Sequence, residues 1–244
     1  MRTRFECLLH GTDSGLLAAA GEAALAEIRA AEREFSFFRA DSDLSRLNRD
    51  GASGWTRLPA RLFQMLELCQ MTRTETSGAF DPGAAFPPGM AEVALDAQCQ
   101  SARFRHANVR LDCGGIGKGE ALDRAGAVLR ELGITTALLH GGTSSVLGIG
   151  TPPGQRGWRI AIANPDDPSD AIASVELRDG ALGVSARRGA IVDPRCGAPA
   201  AGPTRLAAAT AATAAKADAW STALIILGQR DFEFRALHSP VQLS

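Results

Sequence analysis

The chain has 244 residues, 45% of them hydrophobic and 22% charged, with a net charge of −1. A chain of this length buries about three quarters of the surface its unfolded form exposes, so one large domain, or one with a small lobe, is expected. The near-neutral balance leaves no basic footprint for nucleic acid or anionic lipid, and five scattered cysteines without a C-x-x-C pair argue against a disulfide framework or a zinc site.

The opening MRTRFECLLHGTD has no apolar core and no small-residue cleavage site, and Cys7 lacks the leader of a lipid-anchored cysteine. A soluble cytoplasmic protein without a membrane span is expected. Residues 3–9 read as a strand. Residues 14–35 carry Leu17, Ala20, Ala24, Ile28, Ala31 and Phe35 at helical period. The segment 35–49, FSFFRADSDLSRLNR, reads as a polar loop. A second helix is expected over 59–76, with Pro59 at its start, and the Gly/Pro-rich SGAFDPGAAFPPG (77–89) as loop. Residues 91–110 suggest two short strands.

LDCGGIGKGEALD (111–123) follows: two acids bracketing a glycine-rich turn with one lysine, before an amphipathic helix over 119–132 that Gly133 stops. Strands are expected at 134–140, 144–150, 158–165, 172–178, 181–185 and 203–210. A helix is expected over 213–227; this Ala-rich stretch contains Lys216 and Asp218 and is too polar to span a bilayer. Long helices among clustered strands favour an α+β fold, with mixed or antiparallel sheets and packed helices in one domain over 1–244, rather than a regular βαβ winding.

A tight glycine backbone, a cation and a helix N-terminus together suit a phosphorylated ligand. The segment is not a Walker A loop, because Gly119 rather than Ser or Thr follows Lys118, and its glycines miss the G-x-G-x-x-G spacing. A plain strand-to-helix turn with a solvated lysine accounts for it equally well. Asp112 adds a carboxylate beside the glycines, fit for a ligand hydroxyl or a magnesium-bound water. Asp218 and Thr222, four apart, share one helix face and suit a hard cation, although a helix-start Asp and a core Thr explain them as readily. Phe80-Asp81-Pro82 taken alone is an Asp-Pro turn. Phe37 and Phe38 either stack on a ligand or belong to the core at a helix end. His10, His106, His140 and His238 are isolated, and no serine sits in a G-x-S-x-G elbow.

In order, SFFRADSDLSRLNR, SGAFDP, LDCGGIGKGEALD, HGGTSSVLGIG, WRIAIANP, VDPRCGAP and ADAWSTALIILG resemble the segments of the ApbE family, the FAD:protein FMN transferases. The resemblance runs over nearly the whole chain. It implies a Mg²⁺-dependent transfer of FMN from FAD to a Thr or Ser of an acceptor protein, with release of AMP. It implies FAD contacts from Met1, Phe38, Ala79, Phe80, Asp81, Asp112, Lys118 and Ile191. It also implies a Mg²⁺ site built from the Gly115 carbonyl, Asp218 and Thr222. The chain departs from the pattern at Ala190, where the family carries a histidine implicated in transfer, at Cys196 in place of the usual threonine, and at Arg2 in place of the usual glycine. The hairpin from Val184 to Ile191 and the stretch from Asp81 to Leu111 are short, and the family is often exported. The catalytic residue is left open. Flavin binding without transfer, or FAD hydrolysis, are the alternatives.

Overall fold

The computed structural model describes residues 3–187 and 191–237 and the backbone of residues 242–243. Strand β1 (Phe5–Leu9) leads into helix α1 (Ser14–Phe35), where the Asp13 carboxylate accepts the Leu16 amide at 3.0 Å and so satisfies an otherwise orphaned donor. Helix α2 (Asp43–Asp50), strand β2 (Thr56–Arg57), helix α3 (Ala60–Glu75) and strands β3 (Val93–Asp96) and β4 (Ser101–Phe104) follow. A short 3-10 turn, Cys113–Gly115, runs into α4 (Gly117–Glu131), then β5 (Ala137–Gly141) and β6 (Ser145–Ile149). Next come β7 (Trp158–Ala163), β8 (Ala171–Leu177), β9 (Gly180–Ala186), the two-residue pair β10 (Val192–Asp193) and β11 (Ala198–Pro199), and β12 (Leu206–Ala211). Helix α5 (Ala214–Leu227) and strands β13 (Phe232–Ala236) and β14 (Gln242–Leu243) complete the order.

The central sheet has six strands in the order β1-β5-β6-β9-β12-β13. Its pairs are antiparallel except β12 and β13, which run parallel with α5 as their crossover. Alternate residues of each strand serve opposite faces. On β5, Ala137 and Leu139 join the helical core with α1 and α4, whereas Leu138 joins the core beneath the β7–β8 hairpin. That second core packs Trp158, Ile162, Val175 and Leu177 against Val146, Leu182 and Leu206. Helices therefore cover one face and a second, three-stranded sheet (β14-β8-β7) covers the other. The mixed α+β architecture matches the expectation from sequence.

Two glycines set how closely α5 approaches. A Cβ on Gly183 of β9 would lie 2.4 Å from the Ala217 backbone, and one on Gly119 of α4 would lie 2.2 Å from the Ala214 carbonyl oxygen. Both positions exclude any side chain, so the start of α5 presses directly on β9 and on the first turn of α4. Asp123 fixes the same junction from α4. Its carboxylate accepts the Ala214 and Ala215 amides at 2.8 and 2.9 Å, capping α5 from another element.

Several elements differ from expectation, among them short strands β2, β10, β11 and β14 where none is expected and β12, which begins at Leu206 rather than 203. The segment 35–49 is not all loop: Ser42 accepts the Ser45 amide at 3.0 Å and starts α2, whose Leu44 and Leu47 are fully buried. Helix α4 begins at Gly117, two residues early, and β5 begins at Ala137, three residues late. The chain after Gly228 carries β13, with Phe232, Phe234 and Ala236 at strand alternation, where the sequence reading assigns no element.

Candidate functional site

Leu111 precedes the glycine turn, and its backbone is clamped by a side chain. The Asn48 amide donates to the Leu111 carbonyl at 2.9 Å and its oxygen accepts the Leu111 amide at 2.8 Å. Asp112 is held next. Its backbone amide donates to Pro82 at 2.7 Å, and its carboxylate accepts the Gly114 amide at 2.9 Å. The Cys113–Gly115 turn then delivers Lys118 to the first turn of α4, where its ammonium adds to the positive end of the helix dipole.

On the facing helix, Asp218 is only 4% exposed. Its carboxylate accepts the Ser145 hydroxyl at 2.7 Å and the Gly119 amide at 2.8 Å, and it lies 3.9 Å from the Lys118 ammonium. Burial pushes the Asp218 pKa up to about 6, while Lys118, Ser145 and the Gly119 amide pull it down. Thr222, one turn along, donates to the Asp218 carbonyl at 3.1 Å. A Cβ on Gly115 would lie 3.2 Å from the Thr222 hydroxyl oxygen, so the glycine turn and α5 meet here.

Asp81 forms the third wall. Its buried carboxylate takes Arg73 Nε at 2.9 Å, the Gly83 amide at 2.7 Å and the Met90 amide at 2.9 Å, folding residues 81–90 back on themselves. Phe86 of this loop stacks on Phe37, with centroids 5.6 Å apart, and Phe38 meets Phe37 edge to face. Phe38 is 82% exposed, which removes it from the core.

These walls enclose a cavity of about 310 Å³ lined by Ala79, Phe80, Asp81, Asp112, Gly115 and Lys118. Ile191, Asp218 and Thr222 line it too. Every site residue expected from sequence thus converges here except two. Phe38 lies in an adjoining cavity of about 270 Å³, which shares Asp112, Gly114 and Lys118 with the first. Met1 lies outside the described residues, as do Arg2, Ala190 and His238. His140 lines a different cleft with Glu6, where burial lowers its pKa, and has no part in this site.

Three contributors carry no role in the sequence reading: Asn48, Ser145 and Ser185, the last also lining the cavity. Ser145 pairs with a carboxylate 73 residues away and Asn48 with the Leu111 backbone 63 residues away, so only the folded chain displays them. The second bracketing acid of the glycine segment, Asp123, caps α5 instead of facing the cavity.

Among the described residues, no three His, Cys, Asp or Glu side chains group as a metal cluster. A cation in this cavity would rest on one carboxylate plus hydroxyl and carbonyl oxygens, the donor chemistry of a hard ion. Asp218 fits that use, being buried beside a single ammonium at 3.9 Å.

A model of the ApbE family matches residues 1–240. The chain belongs to the ApbE family. An FAD:protein FMN transferase of Rhodobacter capsulatus is 37% identical over 137 residues, which is 51% of this chain and 25% of that protein. One from Escherichia coli K12 is 28% identical over 134 residues, or 48% of this chain and 37% of that protein. The match thus covers between a quarter and just over a third of the length of these curated relatives. Among solved structures, the ApbE protein of Thermotoga maritima superposes with a TM-score of 0.80 at 22% identity, covering 93% of this chain and 88% of that one. The flavin transferase ApbE of Vibrio cholerae gives 0.78 at 20% identity, covering 93% and 84%. These likenesses establish an ApbE fold. No helix among the described residues is long and apolar enough to cross a membrane.

Proposed function

We propose that this chain, acting as one ApbE domain over residues 1–244, is a Mg²⁺-dependent FAD:protein FMN transferase. The carrying observation is that Asp112, Gly115 and Lys118 share one cavity with Asp218 and Thr222, about a hundred residues away. FAD has two ring systems joined by a pyrophosphate. Two cavities meeting at Asp112, Gly114 and Lys118 suit that shape, with the pyrophosphate at the junction.

In this reading Lys118 and the α4 N-terminus hold the pyrophosphate charge, and the Phe37–Phe38–Phe86 cluster supports one ring system. Gly115, Asp218 and Thr222 would hold the magnesium. Bound magnesium supplies charge neutralisation and alignment for phosphoryl transfer. The acceptor hydroxyl oxygen forms a bond to the FMN-side phosphorus, the pyrophosphate P–O bond breaks, and AMP leaves with the electron pair. The hydroxyl proton goes to solvent, because the position of the family histidine is Ala190.

Loss of a general base costs about 10²–10⁴-fold, so slow transfer is expected, and Ala190→His should raise it. The same alanine favours a second reading, in which the chain binds FAD and passes nothing on. Incubation with FAD, Mg²⁺ and a flavin-acceptor domain separates them. Flavin fluorescence on the acceptor after denaturing electrophoresis, with AMP released, supports transfer. AMP without labelling means hydrolysis, and bound FAD without AMP means a binding module.

A further inference from the structure

Thr222 is one of three hydroxyls gathered at the cavity wall, and the other two have no assigned part. Ser185, the penultimate residue of β9, faces α5, 2.8 Å from Ser221 Oγ and 3.3 Å from Thr222 Oγ1. Ser221 is fully buried and lies 2.9 Å from the Asp218 carbonyl oxygen, the same oxygen that Thr222 approaches at 3.1 Å.

A hydroxyl has one proton and two lone pairs. Ser221 and Thr222 can each donate theirs to the Asp218 carbonyl, as helical Ser and Thr do when they bond back one turn. Ser185 lies nearest the Ser221 oxygen, and either hydroxyl of that pair can donate. The Ser185 and Thr222 oxygens lie 3.3 Å apart, a pair in which either hydroxyl can donate. Both residues line the cavity that also holds Gly115 and the Asp218 carboxylate. Adjacent ligands of an octahedral ion at about 2.1 Å are about 3 Å apart, close to this spacing.

We infer that Ser185 Oγ is a further oxygen ligand of the cation, beside Thr222, Asp218 and the Gly115 carbonyl. The inference rests on the cation reading of the site proposed above. It also gives Ser221 a purpose: its hydrogen bond with Ser185 at 2.8 Å holds that side chain beside Thr222.

The test uses Mn²⁺ as probe, with free Mn²⁺ read by electron paramagnetic resonance and no flavin added. Ser185→Ala should bind Mn²⁺ about tenfold or more weakly than wild type, with unchanged circular dichroism, since Ser185 is half-buried and outside the hydrophobic core. Ser185→Cys should bind Cd²⁺ with an added ultraviolet sulfur-to-cadmium band, of one thiolate's intensity, above whatever the exposed native Cys99 and Cys196 give in wild type. A role confined to supporting α5 would not produce that band. Wild-type Mn²⁺ affinity in Ser185→Ala, or no added band in Ser185→Cys, overturns the inference while leaving the cation site standing. Failure of the wild-type protein to bind Mn²⁺ overturns both.

Discussion

At Asp218, burial and charge act against each other. The carboxylate sits in the core on two hydrogen-bond donors and one distant ammonium, and its pKa is pushed up to about 6. A bound cation would relieve that cost directly. Asp218→Asn keeps the shape and a hydrogen-bond acceptor while removing the charge. In fluorescence titrations of FAD with and without Mg²⁺, wild type should show a strong Mg²⁺ effect, and the variant should bind FAD alike in both. An undiminished Mg²⁺ effect in the variant would sink the metal assignment. Lys118→Met tests the ligand side of the same contact. Losing one charge-assisted contact worth about 1.5–3 kcal/mol should weaken FAD binding roughly 10- to 100-fold; unchanged affinity would place the pyrophosphate elsewhere. Much of this was legible in the sequence. The spacing of Asp218 and Thr222 puts them on one helix face, and the glycine turn announces a close backbone. What single residues did not announce is which acid does what: Asp112 and Asp123 bracket the same turn, yet one lines the cavity and the other caps a helix.

At the scale of elements, the site is the junction of the α4 and α5 N-terminal turns. Gly119→Ala places a methyl within 2.2 Å of the Ala214 carbonyl oxygen and must push the helices apart. A loss of about 1–3 kcal/mol in urea unfolding is expected, with weakened Mg²⁺-dependent FAD binding, because the Gly119 amide would draw away from Asp218. Wild-type stability in that variant would contradict the close-packed junction. Asn48→Ala leaves two backbone groups of Leu111 unpaired, at about 1–3 kcal/mol each where burial persists. Helix α2, which supplies Asn48, is not legible in the sequence. Its eight residues hold only two leucines among charged and polar neighbours, too few to show a period, and Ser42 reads as a loop residue until it is seen to cap. The long periodic helices α1 and α3 are legible nearly to their ends, because burial at every third or fourth position leaves a signal that polar caps do not.

For the whole molecule, pH couples to the same junction. Asp123 carries a pKa raised by burial to about 7, against 3.8 for an ordinary aspartate, even though two α5 amides pull it down. The folded protein therefore holds a proton that the unfolded chain releases near pH 4. This contribution is full below pH 4 and is lost as pH rises through about 7. The melting temperature of the protein without added metal should fall between pH 4.5 and 7, and Asp123→Asn should flatten that slope. A rising or flat wild-type profile would contradict it. The sheet order, with β13 returning parallel beside β12, was illegible for a different reason: a five-residue edge strand is short, and nothing local specifies which neighbour it joins. The same topology carries α5 across the cavity and delivers Asp218 to the glycine turn.

The central claim is that this cavity passes FMN to a hydroxyl. Intact-mass measurement of a flavin-acceptor domain, after incubation with the protein, FAD and Mg²⁺, tests it most directly. The account predicts a species heavier by one FMN less water, absent without Mg²⁺ or with Asp218→Asn and more abundant with Ala190→His. An acceptor of unchanged mass, with both wild type and Ala190→His folded and FAD bound, would contradict it.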